Sequence, residues 1–116
     1  MDSKHAVASL AALAQESRLA IYRLLVEAGP TGMSVGEIGA SVKIAPATLS
    51  FHLKELFHSK LVQTRQDGRF IYYSANYETM NGLLGYLSEN CCARDGCGPS
   101  SCMPSRARPR RAKSNA

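Results

Sequence analysis

None of the first 90 residues of this 116-residue chain is a cysteine, and none of the last fourteen is an acid. Cysteines serving a core or a disulfide-stapled scaffold would be scattered through apolar positions, whereas all four here fall between Cys91 and Cys102. That points to thiols for metal or redox chemistry rather than structural bridges. The acid-free stretch 103–116 carries Arg106, Arg108, Arg110, Arg111 and Lys113, which account for the whole net charge of +5. The 9 acids of the chain are balanced by the basic residues of 1–102, so overall basicity says nothing about nucleic-acid binding by the folded body. No apolar run is long enough to span a membrane, and the opening MDSKHAVASL is not a secretory signal, so a cytoplasmic protein without membrane contact is expected. There are no internal repeats, no CxxC motif and no phosphate-cradling glycine loop. A thiol enzyme or metal chaperone, the competing class, therefore has little to stand on, and no enzymatic activity is expected.

What is present is enough for one domain with a modest core, 45% of the residues being hydrophobic. A chain of this size gains stability by pairing, and a dimer is expected. Residues 3–14 read as a short helix with Val7, Leu10, Ala11 and Ala14 on one side. Glu16–Ala28 is a longer helix with an apolar face of Leu19, Ile21, Leu24, Leu25 and Ala28, stopped by Gly29-Pro30. Arg18 near its start reads as a structural partner more readily than as a phosphate contact. Ser34 and Glu37 form a capping box that opens a third helix containing Ile38 and Val42. A turn over Ser41–Ala45 follows, and Pro46 fits the first turn of a fourth helix. In that helix Leu49, Leu53 and Leu56 line one face, and Ala47, Thr48, Ser50, Phe51, His52 and Lys54 occupy the others.

The period then changes. Val62–Arg65 and Arg69–Tyr73 are β-rich runs joined through Asp67-Gly68, a strong hairpin signal. Asn76 caps a final helix, Tyr77–Asn90, with a stripe of Met80, Leu83, Leu84 and Leu87. The first and last helices, through Val7, Leu10, Met80, Leu83, Leu84 and Leu87, are expected to form a two-fold dimer interface. The fold expected is mainly α with a β-hairpin wing, a winged helix-turn-helix of order α-α-α-α-β-β-α over residues 1–90. A cysteine-rich segment, 91–102, and a basic, disordered tail, 103–116, complete the chain.

The stretches ESRLAIYRLL (16–25), MSVGEIGASVKIAPATLSFHLKELFHSKLVQTRQDGRFIYYS (33–74) and the final helix resemble the ArsR/SmtB family of metalloregulatory repressors. The resemblance covers about residues 5–90. It implies a dimeric winged-helix protein that binds operator DNA when metal-free and binds it less well when loaded. Carried over by position, Pro46, Ala47, Thr48, Ser50, Phe51 and His52 would lie on the recognition helix, and Lys54, Arg65 and Arg69 would serve the backbone or minor groove. The family pattern often has a second histidine where this chain has Phe51, which leaves base preference open. His52 reads equally as a packed helix residue.

The family places its sensor site variously. A Cys-x-Cys site near Met33–Glu37 is excluded by the absence of thiols there, and residues 77–90 lack the Asp and His of a zinc-type site. The cluster Cys91, Cys92, Cys97 and Cys102 remains. An all-sulfur set selects soft ions. A vicinal pair with a third cysteine on a glycine-containing loop suits As(III) or Sb(III) as inducer, with Cys97 the nearer third ligand and Cys102 the spare. Some arsenic-responsive members of the family are similar in placing their sensor cysteines at the C-terminal end. A tetrahedral zinc site, a thiol/disulfide switch and an oxidisable tail without a role stay open as alternatives.

Overall fold

Eleven side chains hold the main core together, and most come from three helices. Ile21, Tyr22 and Leu25 of α2 (Glu16–Ala28) meet Ile38 of α3 (Val35–Val42) and Leu49, Leu53 and Leu56 of α4 (Pro46–His58). Leu61, Val62 and Ala75 close the core from the sheet side, and Ala12 from α1 (Ser3–Leu13). Burying a leucine or isoleucine contributes roughly 1.5–3 kcal/mol, so this cluster is the main source of stability. The computed structural model describes residues 1–94. Cys97, Cys102 and the expected basic tail 103–116 lie outside the described residues.

Each helix starts where local chemistry dictates. Asp2 caps α1, its carboxylate accepting from the His5 amide at 2.9 Å. The expected capping box at α3 is complete: the Glu37 amide donates to Ser34 Oγ, and the Ser34 amide donates to the Glu37 carboxylate. Pro46 occupies the first turn of α4, where its missing N–H leaves nothing unsatisfied. Asn76 accepts from the Thr79 amide at 3.3 Å at the start of α5 (Tyr77–Ser88).

The sheet is larger than the sequence suggests. Besides β2 (Val62–Asp67) and β3 (Phe70–Ala75) it has a two-residue strand, β1 (Met33–Ser34), and the order is β1-β3-β2, antiparallel throughout. Asp67 pairs with Phe70, so the hairpin turn is Gly68-Arg69 rather than Asp67-Gly68. Gly68 takes the first central position with φ 63°, the left-handed backbone that glycine adopts without steric cost. Arg69 is thereby placed at the wing tip.

Met1–Leu83 form one compact unit, and from Leu84 onward the chain belongs to a second, of which Leu84–Arg94 are described. Helix α5 crosses the boundary and ends at Ser88, two residues short of the expected Asn90. The apolar faces of α1 and α5 divide between core and surface. The buried side of α1 is the small-residue row Ala6, Ser9 and Ala12, while Val7 and Leu10 are exposed. On α5, Leu83 is buried and Met80 packs against the core, whereas Leu84 and Leu87 are exposed. The four residues form a single stripe by spacing, of which Met80 and Leu83 are taken up by the core and Leu84 and Leu87 are left exposed.

Candidate nucleic-acid interface and cysteine segment

Helix α4 carries two stripes of the same spacing. Leu49, His52, Leu53 and Leu56 point inward, and Ala47, Ser50, Phe51 and Lys54 point outward. Pro46 and Thr48 are exposed at its first turn. The outward stripe is small and polar except for Phe51, which is 53% exposed. Its ring is therefore open to contact from outside rather than part of the core.

His52 sits otherwise than a groove-facing residue would. It is only 7% exposed and lies on the inward stripe, three residues after Leu49. Its Nδ1 is 3.3 Å from Arg18 Nη1, and Arg18 Nε donates to the Ala12 carbonyl at 2.7 Å. Burial, and then the Arg18 charge, hold its pKa below the ordinary imidazole value. A neutral ring that accepts at Nδ1 keeps only its Nε2–H to donate. The physical reason is phase: the spacing that buries Leu49, Leu53 and Leu56 carries His52 inside with them.

The wing arginines also separate. Arg65 is committed within the protein: its Nη2 donates to the Thr31 carbonyl at 2.8 Å, its Nη1 is 3.6 Å from the Asp67 carboxylate, and its guanidinium lies 4.7 Å from the centre of the Tyr72 ring. Arg69 is exposed at the hairpin tip, without an ion pair or side-chain hydrogen bond among the described residues. Between α4 and the wing lies an open cleft of about 310 Å³ whose walls include Ser50, Lys54, Phe57, Thr64 and Ile71. Thr64 is a residue the sequence reading passed over. The two-residue alternation from Val62 sets it on the α4 side of β2.

The described part of the cysteine segment is short. Past Ser88 the chain runs in turns, with Asn90 and Cys92 at φ 60° and 61°. Cys91 and Cys92 are half-buried with their Sγ atoms 3.6 Å apart, and Cys92 is disulfide-bonded. Among the described residues no three His, Cys, Asp or Glu side chains gather around a common point.

Known proteins share this architecture. A family described as a helix-turn-helix domain matches residues 13–65. The chain is 36% identical over 88 residues to the nodulation protein NolR of Rhizobium meliloti, covering 76% of this chain and 70% of that protein. It is 36% identical over 81 residues to the arsenical resistance operon repressor of Bacillus subtilis (strain 168), covering 70% of this chain and 73% of the other. The solved structure of HlyU from Vibrio cholerae N16961 matches with a TM-score of 0.59 at 33% identity, over 75% of this chain and 97% of that one. A homodimeric winged helix-turn-helix DNA-binding domain from Mycobacterium bovis matches with a TM-score of 0.61 at 22% identity, over 82% and 88% of the two chains, a likeness of fold.

Proposed function

The chain belongs to the ArsR family of transcriptional regulators, and on that premise we propose that it is a homodimeric repressor, released from its operator when As(III) or Sb(III) binds its C-terminal cysteine thiolates. Pro46, Ala47, Thr48, Ser50 and Phe51 enter the major groove, with Ser50 serving a base edge or phosphate and Phe51 packing on a thymine methyl. Lys54 and Arg69 take phosphates on either side of the cleft, and Arg65 holds the wing in shape. Two copies pair through exposed apolar residues, Val7 and Leu10 on α1 and Leu84 and Leu87 on α5. A two-fold pair of recognition helices suits a pseudo-palindromic operator.

The observation that carries the inducer reading is the vicinal Cys91-Cys92 pair, with its sulfurs 3.6 Å apart just beyond α5. Once Cys92 is reduced, one trivalent ion can bridge the two thiolates and take a third from Cys97 or Cys102. Soft ions prefer sulfur, and no histidine or carboxylate competes in residues 91–102 other than Asp95. The named role of the Bacillus subtilis relative in arsenical resistance supports the same assignment. In this reading residues 1–90 bind DNA and pair, 91–102 sense, and the basic tail 103–116 adds phosphate attraction that does not depend on sequence. The site works by linkage: if the metal-bound geometry favours a dimer that grips DNA poorly, a coupling of roughly 3 kcal/mol lowers operator affinity about 100-fold. The protein acts in the cytoplasm, where thiols stay reduced.

The disulfide at Cys92 favours a second reading, in which oxidation rather than metal is the signal. A Cys91→Ser/Cys92→Ser variant separates sensor from reader. It should bind operator as the parent does and ignore arsenite. A double variant still released by arsenite would remove the thiol site from the account. Release of the parent protein by peroxide, with indifference to arsenite, would favour the second reading.

A further inference from the structure

We propose that Arg18 and His52 form a positioning bridge that sets the recognition helix against the α1–α2 corner, so that operator affinity depends on two side chains that do not touch DNA. The inference rests on the DNA-binding reading of α4 and adds to it a link from the first helix to the reading surface.

The last carbonyls of α1 have no partner within the helix, and Arg18 supplies one by donating from Nε to Ala12 at 2.7 Å. A cation at that end also suits the helix dipole. The same guanidinium reaches His52 Nδ1 with Nη1 at 3.3 Å. Arginine has donors only, so Nδ1 accepts, the ring is neutral, and its proton sits on Nε2. One rigid fork thus holds a backbone atom of α1 and a side chain of α4 at once, which the single ammonium of lysine does less well. His52 is followed and preceded by the residues that matter: Phe51, its ring 5.6 Å away and tilted by 57°, and Leu53 in the core. A roll of α4 that broke the bridge would turn the whole stripe Ala47, Ser50, Phe51 and Lys54 relative to the wing. An apolar residue would fill the His52 position between Leu49 and Leu53 at least as well for stability alone, so the polar pair is there for geometry.

The test uses the full reduced chain, a labelled duplex from upstream of its own gene, and an unrelated duplex of equal length, titrated by anisotropy over a salt series. His52→Leu should lose about tenfold on the specific duplex, keep its weak binding to the unrelated one, and keep the parent's salt slope. His52→Gln, whose amide oxygen can accept from Arg18, should recover most of the loss. Arg18→Lys should reproduce the loss and covers the case in which His52→Leu fails to fold. The bridge is overturned if His52→Leu or Arg18→Lys stays within about twofold of the parent, or if His52→Gln is as weak as His52→Leu. A loss on both duplexes with a salt slope shallower by about one would also overturn it, because His52 would then be touching a phosphate. Failure of the parent itself to distinguish the two duplexes would remove the DNA-binding reading and the bridge with it.

Discussion

Arg65 Nη2 donates to the Thr31 carbonyl at 2.8 Å, reaching from the outer strand β2 across β3 to the turn that leads into β1. That bond makes Arg65 a brace of the wing, and in the DNA-binding reading proposed above the phosphate contact falls to Arg69. Arg69→Ala should weaken binding severalfold on every duplex alike, reduce the salt slope by about one, and leave the unfolding temperature unchanged. Arg65→Ala should lower the unfolding temperature by a few degrees, as loss of a part-exposed bond and ion pair does. Salt-dependent anisotropy and thermal melts on the two variants separate these roles. Equal melting temperatures with equal salt slopes would contradict the division.

Among the described glycines, Gly32 has the least room for a side chain. Its φ is 78°, and a β-carbon there would lie 2.5 Å from the Tyr73 carbonyl oxygen. Gly32→Ala must therefore strain the backbone and push β1 away from β3, at a cost of roughly 1–3 kcal/mol. A urea midpoint unchanged from the parent's would show that the turn relaxes without loss.

Much of this architecture is legible in the residues, and what stayed hidden has physical causes. Leu49, Leu53 and Leu56 announce the buried face of α4 because large apolar residues recur at helical spacing. His52 keeps the same phase but is polar, so residue type and position left two readings open, and the structure places it inside. On α1 the buried row is Ala6, Ser9 and Ala12, residues too small to show in a hydrophobic pattern, and the visible Val7 and Leu10 are the exposed ones. Strand β1 has only two residues and exists because Tyr72 and Tyr73 pair with them, a long-range fact that no local pattern carries. The turn slipped by one residue because Asp67 pairs with Phe70, which leaves Gly68 to open the turn instead of closing it.

His52 makes stability depend on pH with a definite sign. Its folded pKa is lowered from 6.5 by burial and by Arg18, so the unfolded chain takes up a proton at a pH where the folded one does not. The contribution is complete above about pH 6.5 and is lost as pH falls through the lower folded value. Between about pH 7.5 and 5 the parent should lose more melting temperature than His52→Gln, the other two histidines being common to both proteins. Superimposable pH profiles would mean that His52 does not titrate differently in the two states.

Leu87 is 56% exposed and Leu84 50% exposed on α5, a face expected to be covered by a second copy. Leu87→Glu would bury a charge in that contact, which dimers do not tolerate. Sedimentation equilibrium should show a dimer for the parent and a monomer for the variant, and loss of the second half-site contact should weaken operator binding on the order of 100-fold. A variant that stays dimeric and binds normally would move the interface elsewhere.

The central claim is that capture of a trivalent metalloid by C-terminal thiols releases this protein from its operator. The most direct measurement is anisotropy of a labelled duplex from upstream of its own gene, saturated with reduced protein and then titrated with arsenite, with zinc as the comparison. Arsenite should return the signal to that of unbound DNA at near-stoichiometric addition, and zinc should leave the complex intact. A complex that withstands arsenite while its cysteines remain reduced would contradict the account.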